Sequence, residues 1–222
     1  MPDLTWFATN AARDGRLVYY MNQSKTAPLD QPGPWGDIGE GYCAGLAVRW
    51  IGMAYQGRDF PAQSGFALDG VDIRYFRGTD WQATMYQNRL NDFHKATKPD
   101  RRTRVQYALG LGQMMLAGDL VETSTSPVTA SRLLRIVRQS YGCYYVSLGG
   151  PDWGHAIALR HARPPTGKGP GVLHIFDANS GHFAYQMASA GWDIVLDHFL
   201  DFGEYSKGST GYCVGRATPP VC

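Results

Sequence analysis

Cys43, His155 and Asp177 are the side chains whose types and settings could do chemistry together. Cys43 opens the stretch GYCAGLAVRW (41–50), with glycines on both sides and an apolar helical periodicity after it. His155 begins GHAIALRHA (154–162), and Asp177 ends GVLHIFDA (171–178). A free thiol with an ordinary pKa of about 8.5 is a weak nucleophile at neutral pH, and a helix N-terminus and a neighbouring imidazolium both favour its thiolate. A histidine can return a proton to a leaving group, and a carboxylate fixes that histidine's tautomer and orientation. The backbone N–H of Cys43, at a helix start, is a candidate oxyanion donor.

These groups need elements to hold them. The segments 154–162 and 171–178 alternate like short strands and are joined by RPPTGKGPG, whose prolines and glycines make it a loop. Antiparallel pairing about Thr166 sets His155 opposite Asp177, Ile157 opposite Ile175, and Leu159 opposite Leu173. Opposed residues share a face, so imidazole and carboxylate are expected at one end of an apolar sheet face. The apolar side of the Cys43 helix, expected over about 41–56 with Leu46, Ala47, Trp50 and Ala54, is the expected partner of that face.

Residues 1–36 read as an N-terminal arm without firm elements, ahead of a single domain over 37–222. Residues 57–100 read as an irregular, aromatic-bearing insertion with one helix around DWQATMYQNRLNDFHK, and as a contributor to substrate recognition. Two further helices are predicted, through VQYALGLGQMMLAG (105–118) and through TASRLLRIVRQ (129–139) with Thr129 or Ser131 as cap. Strands follow at 141–148, 154–162, 171–178 and 182–187, then a helix through WDIVLDHFLDF and a last strand in TGYCVGR. Helices first and an antiparallel sheet later define an α+β domain.

The 222 residues are 44% apolar and 18% charged with a net charge of +2, which suits a globular chain and asks for no nucleic acid. RRTR (101–104) reads as a solvated helix start. No apolar run reaches the ~18 residues of a membrane span, and the N-terminus carries no legible secretory signal. The expectation is a soluble protein, exported, if at all, without a cleaved signal. No CxxC, HExxH or close histidine pair suggests zinc, and no cofactor is expected.

Other residues read as structural. Cys143 belongs to an aromatic strand, Cys213 and Cys222 are bystanders, and Met114 and Met115 are core. His161 and His174 sit on the two strands without an acidic partner. Asn179 and Gly181 serve the turn after Asp177. Trp153 either lines the cleft or packs.

The segments GYCAGLAVRWI, GHAIAL and FDANSGHF together resemble the YopT-type cysteine proteases, a papain-like group of bacterial effectors and toxins. Phe-Asp-x-Asn-x-Gly after the histidine strand is the most specific part. The resemblance implies a papain-like fold, a Cys43, His155, Asp177 triad, and a protein substrate in a target cell. It also implies delivery by a specialised (type III or type VI) secretion system, with a secretion component, chaperone or immunity protein as possible partners. It further implies a side-chain amide donor shortly before the cysteine. Asp37 to Glu40 occupy that stretch and Gln31 is the nearest amide, so the donor is unassigned. Deamidation of Gln or Asn uses the same triad. An NlpC-type peptidoglycan amidase or endopeptidase is a further alternative, although its histidine usually lies much closer to the cysteine. A non-catalytic binding module is the remaining one.

Overall fold

The computed structural model describes residues 4–23, 42–76, 80–164, 167–169, 171–186 and 189–219. Helix α1 (Leu4–Arg13) turns Leu4, Phe7, Ala8 and Ala11 inward at helical spacing, and β1 (Leu17–Tyr19) pairs with a later strand at the sheet edge. The stretch expected to be an arm without firm elements therefore carries two. Gln31 and the rest of 24–41 lie outside the described residues.

Helix α2 (Cys43–Tyr55) begins at the cysteine itself and is buried on most sides. The insertion expected over 57–100 begins with a hairpin, β2 (Gln63–Leu68) and β3 (Val71–Tyr75), and continues in α3 (Trp81–Thr97). The Asp80 carboxylate caps α3 by accepting from the Ala83 N–H at 2.9 Å and also pairs with Arg49 on α2. One carboxylate thus ties the start of α3 to the middle of α2. Helix α4 (Arg101–Leu111) begins within RRTR, with Asp100 as its cap.

The helix predicted through Gly118 stops early. Gly112 ends it, Gln113 takes a positive φ of 57°, and β4 (Met115–Ser124) follows. The apolar run MMLAG suits either conformation, and pairing of Met115 with Thr218 decides for strand. Met114 is core, whereas Met115 is exposed.

Helix α5 (Ala130–Val137) is capped by Thr129, and β5 (Gly142–Gly149), β6 (Gly154–Ala162), β7 (Val172–Asp177) and β8 (Gly181–Gln186) follow as a meander. Then come α6 (Ser189–Phe202), the short α7 (Tyr205–Gly208) and β9 (Gly211–Thr218). The main sheet has seven strands in the order β1-β8-β7-β6-β5-β9-β4, every neighbouring pair antiparallel. The architecture is α+β, as the sequence predicts.

The register of β6 on β7 corrects the expected one by two residues. Ile157 faces Asp177 and Leu159 faces Ile175, because the hairpin closes on the pair Ala162–Val172 rather than symmetrically about Thr166. A shift of two preserves facing. His155 and Asp177 therefore still share a side but stand diagonal to each other.

The sheet separates two cores. Ile157, Leu159, Leu173 and Ile175 pack with α1, α5 and α6, whereas Ala156, Ala158 and Phe176 pack with α2, α3 and α4. The Cys43 helix thus lies on the alanine face, not on the face expected for it. The reason is steric. Ala44 and Ala47 on α2 share a cluster with Ala156 and Ala158 on β6, so small side chains let helix and sheet approach closely. Further along α2, Trp50 stacks on Phe176, with ring centroids 5.4 Å apart and planes 9° apart. Gly45 allows the same close approach in the packing of α2 on α3, since a Cβ there would sit 1.9 Å from the Ala83 carbonyl oxygen of α3.

Candidate functional site

The α2 N-terminus is held from outside the helix. Its cap residue, Tyr42, does not cap it through the side chain. Instead Gln87 of α3 turns its Oε1 to accept from the N–H groups of Ala44 and Gly45, at 3.0 and 3.1 Å. Gln23 does the same one step earlier, accepting from the Tyr42 N–H at 3.0 Å. Two buried glutamines therefore satisfy helix-start donors that would otherwise be orphaned. Between them stands Cys43, half-buried, on the wall of a cleft of about 940 Å³.

His155 lies one residue inside the start of β6, at the sheet end where α2 also begins, so the thiol reaches it around the end of the strand. Its Nε2 is 2.7 Å from Asp177 Oδ1, which leaves Nδ1 for the thiol. Asp177 is fully buried and well satisfied. The Asn179 N–H donates to Oδ1 at 3.2 Å, and the Ser180 hydroxyl donates to Oδ2 at 2.9 Å. The Tyr205 hydroxyl adds a longer bond to Oδ2, at 3.4 Å. Both carboxylate oxygens are therefore met by donors, as a buried polar group requires.

Electrostatics couple the three residues. Burial opposes the charge on His155, but the neighbouring Cys43 and Asp177, by charge and hydrogen bond, outweigh it and raise its pKa to about 10. Burial likewise opposes a Cys43 thiolate. The His155 charge and hydrogen bond, with the Ala156 N–H, win over that and over the Asp177 charge, so the thiol pKa falls. The arrangement shifts the pair towards thiolate and imidazolium.

Several residues here carried no signal in the sequence. Tyr205 stacks on the His155 ring, with centroids 5.0 Å apart and planes 13° apart. Gln23 stands at the cleft, far upstream of Cys43 in sequence, and donates from Nε2 to Asn179 Oδ1 at 2.7 Å. Asn179 thereby does more than shape a turn. Trp153 lines the cleft, its indole beside Gly208 and against Gly150, where a Cβ would lie 2.0 Å from the indole nitrogen.

The remaining thiols lie apart from this site. Cys143 is buried in β5, and burial pushes its pKa up to about 12. Cys213 is buried in β9, and its sulfur accepts from the Thr123 hydroxyl. Cys222 lies outside the described residues.

His161 meets the Val137 carbonyl and Trp192, as a structural histidine would. His174 departs from expectation, because it does have a polar chain behind it. Its Nδ1 is 2.9 Å from His182 Nε2, and His182 Nδ1 is 2.8 Å from Asp59. Among the described residues no group of three His, Cys, Asp or Glu could hold a metal ion, and no helix is long and apolar enough to cross a membrane.

A thiol-bearing helix start set against the end of an antiparallel sheet, with imidazole and carboxylate at that end, is the layout of the papain-like class. Among solved structures, the Pseudomonas avirulence protein AvrPphB shares the fold, with a TM-score of 0.55 and 17% sequence identity, over 82% of this chain and 94% of that one. No protein-family profile matches the sequence, and no curated protein does.

Proposed function

We propose that this protein is a papain-like cysteine hydrolase that cleaves an amide of a target-cell protein, with Cys43 as nucleophile, His155 as acid and base, and Asp177 as its orienting partner. The observation that carries the reading is the His155 ring held at Nε2 by a buried carboxylate, with its other nitrogen left for a helix-start thiol on an open cleft. In this reading the thiolate attacks the carbonyl carbon, and the carbonyl oxygen takes the negative charge. The Cys43 N–H and the Gln23 side-chain amide are its proposed donors. Collapse of that intermediate expels the amine as His155 gives it a proton. Water, deprotonated by the same imidazole, then releases the acid and restores the thiol.

The resemblance of the Cys43, His155 and Asp177 segments to YopT-type enzymes supports a protein substrate and delivery into another cell. The fold shared with a protein titled an avirulence protein is in keeping with that role. The test is incubation of target-cell lysate with the wild type and with Cys43→Ala. New peptide termini that require Cys43 support proteolysis, and Cys43-dependent mass gain without cleavage reassigns the activity to deamidation. Release of muropeptides from sacculi, with lysate proteins untouched, would replace the reading by the peptidoglycan one.

A further inference from the structure

Arg104 comes from the basic cluster RRTR, whose sequence pattern suggested only a solvated helix start. The structure sends the three arginines to different places. Arg102 is exposed. Arg101 lies over the sheet end, where a Cβ on Gly211 would be 2.1 Å from its guanidinium and one on Gly149 would be 2.9 Å away. Arg104 is half-buried on the wall of the Cys43 cleft, beside Asn91 and Leu90 of α3. Beneath it lies Tyr145, fully buried and within electrostatic reach of both Cys43 and Arg104.

Nothing in the described residues neutralises this cation. No hydrogen bond or ion pair of the Arg104 guanidinium occurs among them. The adjacent carboxylate, Asp100, is committed to capping α4, accepting from the N–H and the hydroxyl of Thr103. The carboxylate that lines the cleft, Glu204, precedes α7 on the wall built by Trp153 and Tyr205. A half-desolvated guanidinium facing a binding cleft gains most from a ligand carboxylate, which it can grip through two parallel N–H bonds.

We propose that Arg104 is a specificity residue that reads an acidic side chain of the polypeptide, close to the amide attacked by Cys43. The proposal rests on the hydrolase reading above and narrows its substrate class. Lys207, an exposed cation that also lines the cleft, is the natural comparison.

The experiment is cleavage of a proteome-derived peptide library by the wild type, Cys43→Ala, Arg104→Gln, Arg104→Glu and Lys207→Gln. Mass spectrometry would score sequence on both sides of each cleaved or deamidated amide. The wild type is expected to enrich Asp and Glu roughly tenfold over background at one position. Arg104→Gln should lose that enrichment, Arg104→Glu should replace it by Lys or Arg, and Lys207→Gln should keep it. Cys43-dependent turnover without an acidic preference, or a preference that survives in Arg104→Gln, overturns this inference and leaves the hydrolase reading standing. An absence of any Cys43-dependent turnover overturns both.

Discussion

The phenol ring of Tyr205 lies flat against the imidazole of His155 while its hydroxyl reaches the carboxylate that His155 also touches. One side chain therefore restrains the ring's plane and helps fix the acceptor behind it. Tyr205→Phe keeps the stack and loses a long hydrogen bond, so it should cost about 1 kcal/mol of stability or less. Tyr205→Ala removes the stack and leaves a cavity, at about 3 kcal/mol or more. Chemical denaturation measures both. Only the alanine variant should raise the apparent pKa at which iodoacetamide alkylates Cys43.

The coupled shifts of Cys43 and His155 define a pH window. The thiol pKa is depressed, so alkylation should rise with pH below the usual thiol range and then level off while the imidazolium persists. The imidazolium pKa is raised to about 10, so His155 should lose its proton only as pH climbs through the alkaline range. His155→Ala should return the Cys43 profile to that of an ordinary buried thiol, at a pH at or above about 8.5. An alkylation profile unchanged in His155→Ala would show that the two groups are not coupled.

Gln87 offers a test of how Cys43 is held. Gln87→Leu strands two buried N–H groups and should cost about 2 kcal/mol or more in denaturant melts. Gln87→Glu restores an acceptor that the helix dipole favours. It also sets a negative charge near the thiolate. The glutamate variant should therefore recover stability while raising the apparent Cys43 pKa, a split that a purely structural residue would not give.

Gly45→Ala should be severe for a single methyl. Its Cβ would meet the Ala83 carbonyl at 1.9 Å, and backbone cannot rotate away as a side chain can. The expected loss is about 1–3 kcal/mol, read as a lower melting temperature. Gly52→Ala on the same helix meets nothing within 4 Å and should be neutral or mildly stabilising.

His174 predicts acid sensitivity away from the cleft. Burial first, then the charges of His182 and Arg160, lower its pKa to about 3 against the pull of Asp59. The unfolded chain protonates near 6.5 and the folded one does not, so stability should decline as pH falls from about 6.5 towards about 3. His174→Asn should flatten that slope in stability measured against pH.

Much of this arrangement was legible in the sequence because it follows from local pattern. The helix from Cys43, the strands from Gly154 and Val172, and the Thr129 cap all announce themselves through periodicity and turn chemistry. The shared side of His155 and Asp177 was also legible, since strand parity survives an error of two residues, although their offset was not. The partner face of α2 was misread because both sides of β6 are apolar. Alanines at 156 and 158 against the small residues of α2 are the cue that bulk hydrophobicity hides. Gln23, Gln87 and Tyr205 gave no warning, because a glutamine or tyrosine acquires its role only from what the fold brings beside it. The strand at Met115 was lost because its pairing partner lies at the other end of the chain.

The Cys43 thiol belongs to the helical layer and the His155 imidazole to a strand of the sheet beneath it. Their alignment is therefore a property of the seam between α2 and the alanines of β6, a surface that the cleft does not include in full. An inhibitor need not occupy the substrate path. A small apolar compound wedged into that seam would draw the sulfur away from the imidazole and leave the His155–Asp177 pair intact. It would act on Cys43 without occupying the cleft.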